Sequence, residues 1–571
     1  MATQSLPGTL IARNYHAFTG VDFSSRGDEV ALYRSPDALN MWKNYSKEGG
    51  RCIETRPDIE EKADYDDEIY GMFFYTYGGT KHLMVHSGTD LYEDDEIIYS
   101  SMNEHESNFF VYRKNLYILD GNKYLVYDGT EVKEVEGYIP TTTISRSPSG
   151  GGTIYEDVNL LSDRRKNSFC SDGESLEYAL DVDSFDADSE VKVFIRNGID
   201  FEEITEGFSP DYSTGKVTFD TAPSEPLTDG QDNVVIEFQK TVQGYRERIE
   251  NCTLIELFDN RVFFSGNSDY PNVLYHCSLN DPTYVSDLDY YDEGVDDSKI
   301  MSLVAGNNAL WVMKEPSQTN TTIFYHNPTI DSDYGKIYPS THSSISTGCA
   351  AKGINFNDTI CFYSLNGLEA ISGDVTTEQV ITHRSTYVDS KLLNEEDYKN
   401  MMLVEWQGYL LTIIGNKIYL ADSRVYNSVD NHLEYEWFYW EFDEKITHAL
   451  VEGNELFLCM NNKIYTLTKT DSNIVSYWTT IQDEFGYPAY QKTTNKKGCT
   501  VDMTGSEISI YAKTDNKEFN LIKTYLNTKG YVVPRIKKKK WKSIQLKFTS
   551  NKPFSIYSST LEAYIGSYVK R

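Results

Sequence analysis

Four stretches of this chain carry side chains whose type and spacing could do chemistry. The run 286–297 (SDLDYYDEGVDD) gathers carboxylates, the hard oxygen donors that suit Ca²⁺. Its spacing departs from the EF-hand loop, so a solvated acidic loop is expected there. The run 535–542 (RIKKKKWK) brings together Arg535, Lys537, Lys538, Lys539, Lys540 and Lys542. Such a cluster can face phosphates or an acidic protein surface. Because the rest of the chain is acidic, contact with an acidic neighbour, including another copy of the chain, is the preferred reading. A basic segment at a sheet edge would also deter edge-to-edge aggregation. The aromatic run 435–440 (YEWFYW) could stack sugars, but in a buried strand it is core. The stretch 209–219 (SPDYSTGKVTF) has a look of the Asp-box of sialidase propellers with the wrong spacing, and Asp211 and Gly215 are expected as turn residues.

No familiar reactive arrangement stands beside these runs. The sequence has no G-x-S-x-G, H-E-x-x-H or P-loop pattern, and its ten histidines are dispersed. The eight cysteines (52, 170, 252, 277, 349, 361, 459 and 499) contain no C-x-x-C pair and are expected to be small core residues in a reducing compartment. No catalytic, cofactor-binding or metal-binding set is therefore expected, and the chain is read as a non-enzyme without cofactors. The opening MATQSLPGTLIARNYHAFTG has no charged segment followed by an apolar one, and no run of eighteen apolar residues occurs, so neither secretion signal nor membrane insertion is expected.

The elements that would position these residues are mostly strands. Hydrophobic residues make up 39% and aromatic residues 13% of 571, enough to build cores and to exclude global disorder. Forty-four tyrosines favour half-buried pleated surfaces. Strand–turn–strand units recur: 115–129 around Gly121-Asn122, 358–373 around Asn366-Gly367, 406–422 around Gly415-Asn416, and 452–468 around Asn461-Asn462. Asn and Gly accept the positive φ that tight hairpins need. The turns at 366, 415 and 461 are 49 and 46 residues apart, close to the length of a four-stranded propeller blade. Further candidate hairpins lie at 81–93, 257–267 and 307–326. The sequence thus predicts a mainly β fold: a six- or seven-bladed β-propeller with an inserted small β-sandwich and a C-terminal β-sandwich.

The expected order is an extended docking segment (1–60), a first stretch of propeller (61–145), an inserted Ig-like sandwich (146–243) entered through the Ser/Thr/Gly-rich linker 141–153, the remainder of the propeller (244–475), and a basic sandwich (476–571). Short helices are expected within 29–45, around ALNMWKNY, and within 394–402. Net charge is −34, unevenly spread. Residues 478–571 hold 17 Lys/Arg and 7 Asp/Glu, net +10, leaving 36 basic and 80 acidic residues, net −44, in 1–477. An acidic body repels DNA, whereas a basic end can pack on an acidic surface.

The stretch 18–57, FTGVDFSSRGDEVALYRSPDALNMWKNYSKEGGRCIETRP, resembles the opening of bacteriophage tail hub and stabilisation proteins and of tail-nozzle proteins. Their pattern is a G-V-x-D-like opening, a polar segment, an Asn-rich stretch and R-P-G. Arg34, Asn40, Arg56 and Pro57 match it, while Asp58 replaces the usual Gly. The stretch 259–287 and the closing stretch 537–566 are similar to segments of virion proteins from phages of Gram-positive-type hosts. The resemblance implies a structural, β-propeller virion component: a homo-oligomeric, hexameric ring at the portal–tail axis, bound to portal, adaptor or other tail proteins. Genomic DNA would pass through its lumen without specific binding. The implied location is the virion tail, after synthesis in a host bacterial cytoplasm. The alternatives are a receptor- or glycan-binding tail-tip module and, behind it, a glycoside-cleaving propeller enzyme, which needs a pair of carboxylates about 5–10 Å apart.

Overall fold

The computed structural model describes residues 8–45, 52–295, 298–317, 319–332, 335–343, 347–372, 380–427, 432–469 and 473–568. The chain is mainly β. Among the described residues, helix is limited to Glu247–Glu250, Asp389–Leu392 and one 3₁₀ turn, Tyr398–Asn400. No helix among them is long and apolar enough to cross a membrane. The chain divides into two compact units, Met1–Ile69 with Thr347–Arg571, and Tyr70–Ser346.

The unit Tyr70–Ser346 contains four successive four-stranded sheets. Their strands run from Ile69–Tyr77 to Glu96–Ser100, from Asn108–Tyr112 to Val132–Glu134, from Leu254–Phe258 to Tyr290–Asp292, and from Ile300–Gly306 to Ser340–His342. Each sheet packs against the next. In the second sheet, Leu116, Ile118 and Leu125 meet Tyr75, Met84 and Leu91 of the first. Tyr117, Leu119 and Tyr124 of that same sheet meet Val262, Phe264 and Tyr275 of the third. Phe263 and Leu274 of the third sheet then turn to Leu310, Val312 and Phe324 of the fourth. Alternate side chains of one strand therefore enter different cores. This two-faced burial explains why strands such as NLYIL read as continuous apolar runs with no polar alternation.

Between the second and third sheets lie a six-stranded and a three-stranded sheet covering 141–239. Phe169, Val193, Val234, Ile236 and Phe238 of the larger share a core with Tyr178, Val217 and Phe219 of the smaller.

In the other unit, Ala351–Phe356, Thr359–Ser364, Gly367–Ser372 and Val380–His383 form one four-stranded sheet. Ile446–Glu452, Glu455–Met460 and Lys463–Thr468 form another, whose fourth strand is Asp58–Asp64, far away in sequence. The register runs from Lys463 opposite Asp64 to Thr468 opposite Asp58. A thirteen-stranded sheet joins the four strands of 402–441 to the C-terminal strands. The joint is narrow: Met41–Lys43 touches His432–Glu441 at Met41 opposite Tyr439, and Ile53–Thr55 pairs with Phe554–Tyr568. Leu10–Tyr15 adds to that last strand.

The hairpins expected at Gly121-Asn122, Asn366-Gly367, Gly415-Asn416 and Asn461-Asn462 lie between paired strands. Gly121, Gly367, Gly415 and Asn461 all hold positive φ. The helix expected within 29–45 is absent from the described residues there. Ala38–Leu39 and Met41–Lys43 are strands separated by Asn40 at φ 54°. Trp42 stacks on Trp406 and meets Trp440 edge-on, so tertiary packing overrides the helical propensity of ALNM. The helix expected within 394–402 is only the 3₁₀ turn Tyr398–Asn400, because Met402–Trp406 is already a strand. The expected boundary at 60/61 cuts the strand Asp58–Asp64, and the segment before it is woven into sheets.

Truncating Ile118, fully buried between the first and second sheets, should cost about 2–5 kcal/mol in Ile118→Ala. Val111→Ala, at an exposed position of the same sheet, should cost under about 0.5 kcal/mol. Denaturant unfolding of both variants checks this; equal losses would contradict two-faced burial.

Candidate functional site

Three of the four residues singled out in the N-terminal stretch meet at one point. Asn40 uses every polar group it has. Its N–H donates to Tyr439 O (2.9 Å), and its carbonyl accepts from Arg56 N (2.8 Å). Its Oδ1 accepts from Arg56 Nε (3.1 Å) and from Glu441 N (2.8 Å), and its Nδ2 donates to Val475 O (2.9 Å). Arg56 also donates to Pro57 O (2.9 Å) and Glu441 O (3.3 Å), and its guanidinium lies over Phe442 at 4.1 Å. Burial lowers the Arg56 guanidinium to about 10, against the pull of Asp58 and Asp443. This latch sets the chain direction into the closing strand Asp58–Asp64.

The rest of that stretch is structural as well. Arg34 is buried over the Tyr387 ring at 3.6 Å. A Cβ on Gly20 would sit 2.5 Å from Trp437 O, so only glycine permits the approach. Asp22 Oδ1 accepts from Ser24 N and Ser25 N, closing a turn. Lys43 pairs with Glu436, both nearly fully buried. Burial raises the Glu436 carboxyl while Lys43 pulls it down.

The basic run is an extended connection between Asn520–Val532 and Ile544–Ser550. Its apolar members point inward: Ile536 and Trp541 are fully buried. Arg535, Lys537, Lys539, Lys540 and Lys542 are exposed, and Lys538 is half-buried. The run lies along the strand Tyr490–Thr514, with Lys538 N donating to Thr494 Oγ1 and Trp541 N to Lys492 O. Lys492 is fully buried and donates to the carbonyls of Tyr487 (2.8 Å), Tyr490 (3.1 Å) and Lys542 (2.7 Å). Burial lowers its amine to about 8. One buried cation thus pins a segment whose other cations face water.

Of the remaining stretches, 435–440 is buried throughout, with Trp437 and Trp440 fully so. Asp211 Oδ1 accepts from Ser213 N and Ser213 Oγ, and a Cβ on Gly215 would meet Val182 O at 1.9 Å; both are turn residues. The expectation of a solvated loop at 286–297 needs correction: Tyr290–Asp292 is a strand and Glu293 is fully buried. Asp287 and Asp289 are only partly exposed, and burial pushes the Asp289 carboxyl up to about 6. Asp296 and Asp297 lie outside the described residues. Among the described residues, no group of three or more His, Cys, Asp or Glu side chains is placed to hold a metal.

Two ionic clusters went unforeseen in the sequence. In the first, Glu293 and His326 are fully buried with Oε1 and Nε2 2.9 Å apart, a close contact without hydrogen-bond alignment. Ser340 Oγ donates to Glu293 Oε2, and Lys314, also buried, donates to the carbonyls of Glu293 and Val295. In the second, the two nitrogens of His383 face Asp389 Oδ2 (2.7 Å) and Glu369 Oε1 (3.3 Å). Ser385 Oγ donates to Asp389 Oδ1, not to His383, so the set lacks the hydroxyl–imidazole contact of a nucleophilic triad. Hydrogen bonds to the carboxylates of Asp389 and then Glu369 raise the His383 imidazole to about 10. Glu293 lies in the acidic run 286–297, but neither cluster had a sequence signal that joins its members, because they come from different elements.

No family model matches the chain, and no curated protein matches it. Among solved structures it is similar to BamB from Moraxella catarrhalis at 11% identity, covering 73% of this chain and 98% of that one, with TM-score 0.32. It is also similar to a streptogramin B lyase at 11% identity, covering 52% and 97%, with TM-score 0.25. An exo-β-1,3-galactanase from Phanerochaete chrysosporium matches at 8% identity, covering 54% and 95%, with TM-score 0.21. At these scores the likenesses carry no argument about function.

Asn40→Ala should lower stability by about 3 kcal/mol, since three side-chain hydrogen bonds of about 1 kcal/mol each are lost. Asn40→Gly keeps the left-handed backbone and should recover only the strain. Unfolding midpoints of the two variants separate the contributions. For His383, the folded value is raised above the ordinary 6.5, so its contribution is fully present below pH 6.5 and is lost as pH rises toward about 10. His383→Gln should flatten the fall in unfolding temperature between pH 6.5 and 10; an unchanged slope would contradict the ion pairing.

Proposed function

We propose that this chain is a structural component of a bacteriophage virion, a tail hub or nozzle protein forming a ring at the portal–tail axis. In this reading the six four-stranded sheets and the four strands of 402–441 are the blades of one β-propeller, and 141–239 is an inserted β-sandwich. Support for the propeller comes from the succession of sheets and from the N-terminal strand that completes the last of them. The basic C-terminal region makes a second small β-sandwich in this reading.

The observation that carries the function is the separation of charge. A body with net −44 is joined to a C-terminal region with net +10, whose basic run is pinned by its apolar members and faces its cations outward. Such a chain suits a heterologous interface, in which two different patches of one protein meet, and closure of that contact gives a ring. An acidic lumen would let genomic DNA slide without sticking. Further support comes from the resemblance of 18–57 to tail hub and nozzle proteins, since Asn40, Arg56 and Pro57 act together in one latch. Portal, adaptor or other tail proteins would be the neighbours along the axis.

A glycan-binding tail-tip module is the second reading. It is favoured by exposed tyrosines of the C-terminal region: Tyr531, and Tyr568, whose ring packs on Tyr490 at 4.3 Å. Quantitative mass spectrometry of purified virions from the source phage tests the first reading. The expected result is this chain in a fixed copy number among the tail proteins; its absence from intact particles would overturn the proposal. Saturable binding of the full chain to a host glycan would favour the second.

A further inference from the structure

The C-terminal region ends its sheet on an uncovered strand. Among the described residues, Asn520–Val532 pairs with Tyr490–Thr514 alone, so about half of its backbone N–H and C=O groups face a free edge, which a register shift at Ile522 and left-handed Asn527 (φ 47°) interrupt. An edge this long is a template for a further strand unless it is blocked. Its outward side chains mix apolar and basic character. Leu521, Leu526 and Tyr531 are 53%, 68% and 74% exposed, and Lys523 and Lys529 are exposed between them. The chain then continues into Arg535, Lys537, Lys539 and Lys540. Edge lysines prevent pairing with like strands and select an acidic partner.

The same chain carries an edge of opposite character. Asp200–Ile204 (DFEEI) is the terminal strand of the six-stranded sheet and pairs with Lys192–Asn197 alone among the described residues. Asp200, Phe201, Glu202 and Glu203 are exposed, and Ile199 just before them is 87% exposed. Lengths are also compatible. Lys523 and Lys529 are six residues apart, about 20 Å along a strand, and five residues of Asp200–Ile204 span about 17 Å. The acidic strand is shorter than the stretch between the two lysines, so it lies within 523–529 beside Leu526 and leaves Tyr531 beyond it. Among the described residues, each edge lacks a second strand partner within its own chain.

We propose that Asn520–Val532 of one copy accepts Asp200–Ile204 of a second copy as an added strand, joining copies of this chain head to tail. The contact is heterologous, so it generates a ring if the rotation closes. Main-chain hydrogen bonds supply the attachment and the Lys–carboxylate pairing supplies selection and register. The proposal deepens the ring reading and rests on its premise that copies of the chain meet.

The test uses the purified full-length chain. Sedimentation velocity over a concentration series measures self-association, and hydrogen exchange measures protection of the amides of 521–531. Wild-type protein should associate, less so as salt rises from about 0.05 M to about 0.5 M. Lys523→Glu/Lys529→Glu should weaken association by about tenfold or more without moving the unfolding midpoint. Adding Glu202→Lys/Glu203→Lys to that same chain should restore it, and the 521–531 amides should exchange more slowly in the assembled wild type. A monomeric wild type, an unaffected charge-reversed variant, no rescue by the double swap, or unprotected 521–531 amides in the assembly would each overturn the proposal. So would binding of duplex DNA at this edge in place of self-association. These outcomes are independent of whether the chain occurs in virions. Failure here with the chain present in particles removes this contact and leaves the tail reading; success with the chain absent from particles does the reverse.

Discussion

The hydrogen bonds between Asn40 and Arg56 hold the element on which one compact unit of this fold, Met1–Ile69 with Thr347–Arg571, depends to complete a sheet. The sheet that begins at Ile446 lacks its fourth strand until Asp58–Asp64 arrives, and the paired residues Glu61 and Lys463 are 402 positions apart. Bringing the ends of so long a loop together costs about 5 kcal/mol in chain entropy. The latch contributes about 3 kcal/mol through the side chain of Asn40, and a six-residue ladder adds a similar amount at about 0.5–1.5 kcal/mol per hydrogen bond. The terms are comparable, so closure depends on both being intact. This also explains why the stretch 18–57 is rich in exacting residues that touch no ligand. Gly20, Asp22, Arg34, Asn40 and Arg56 each meet a specific backbone or ring contact.

Stacked sheets place a second constraint on the molecule. A strand buried on both faces has no solvent side, so polarity is pushed to the turns and to the outer strands. Acidic residues accumulate there, as in Asp58–Asp64 and Asp200–Ile204. The C-terminal strands invert the pattern, with Ile536, Trp541 and the buried Lys492 holding a segment whose exposed residues are cationic. Charge separation thus follows from which elements are outermost, and it leaves the chain with two unlike surfaces. Where cations enter the interior, as at Lys43 and Lys314, they are paired with a carboxylate or bound to carbonyls, as burial of charge demands.

Much of this was legible in the sequence because hairpin turns advertise themselves locally. Asn461 and Gly415 need positive φ, and the apolar runs beside them have no other stable use than strands. The helix expected around ALNM failed for the opposite reason. Its residues are good helix formers, and only contacts with Trp406, Trp440 and Tyr439, more than 350 positions away, make them strands. The fusion of the C-terminal strands with the 402–441 sheet was equally hidden, since it rests on pairings as small as Met41 with Tyr439. The ionic clusters could not be foreseen either, because neither His326 nor His383 stands at a spacing that distinguishes it from a lone histidine. Arg34, Asn40, Arg56 and Pro57 could be picked out by resemblance, but not their role as a latch.

Residue-resolved hydrogen exchange of the full-length chain tests directly whether Asp58–Asp64 completes the sheet that begins at Ile446. Amides of 58–64 should exchange as slowly as those of 463–468, and both segments should lose protection together in Arg56→Ala. Exchange of 58–64 at the rate of free chain, beside a protected 463–468, would contradict the account.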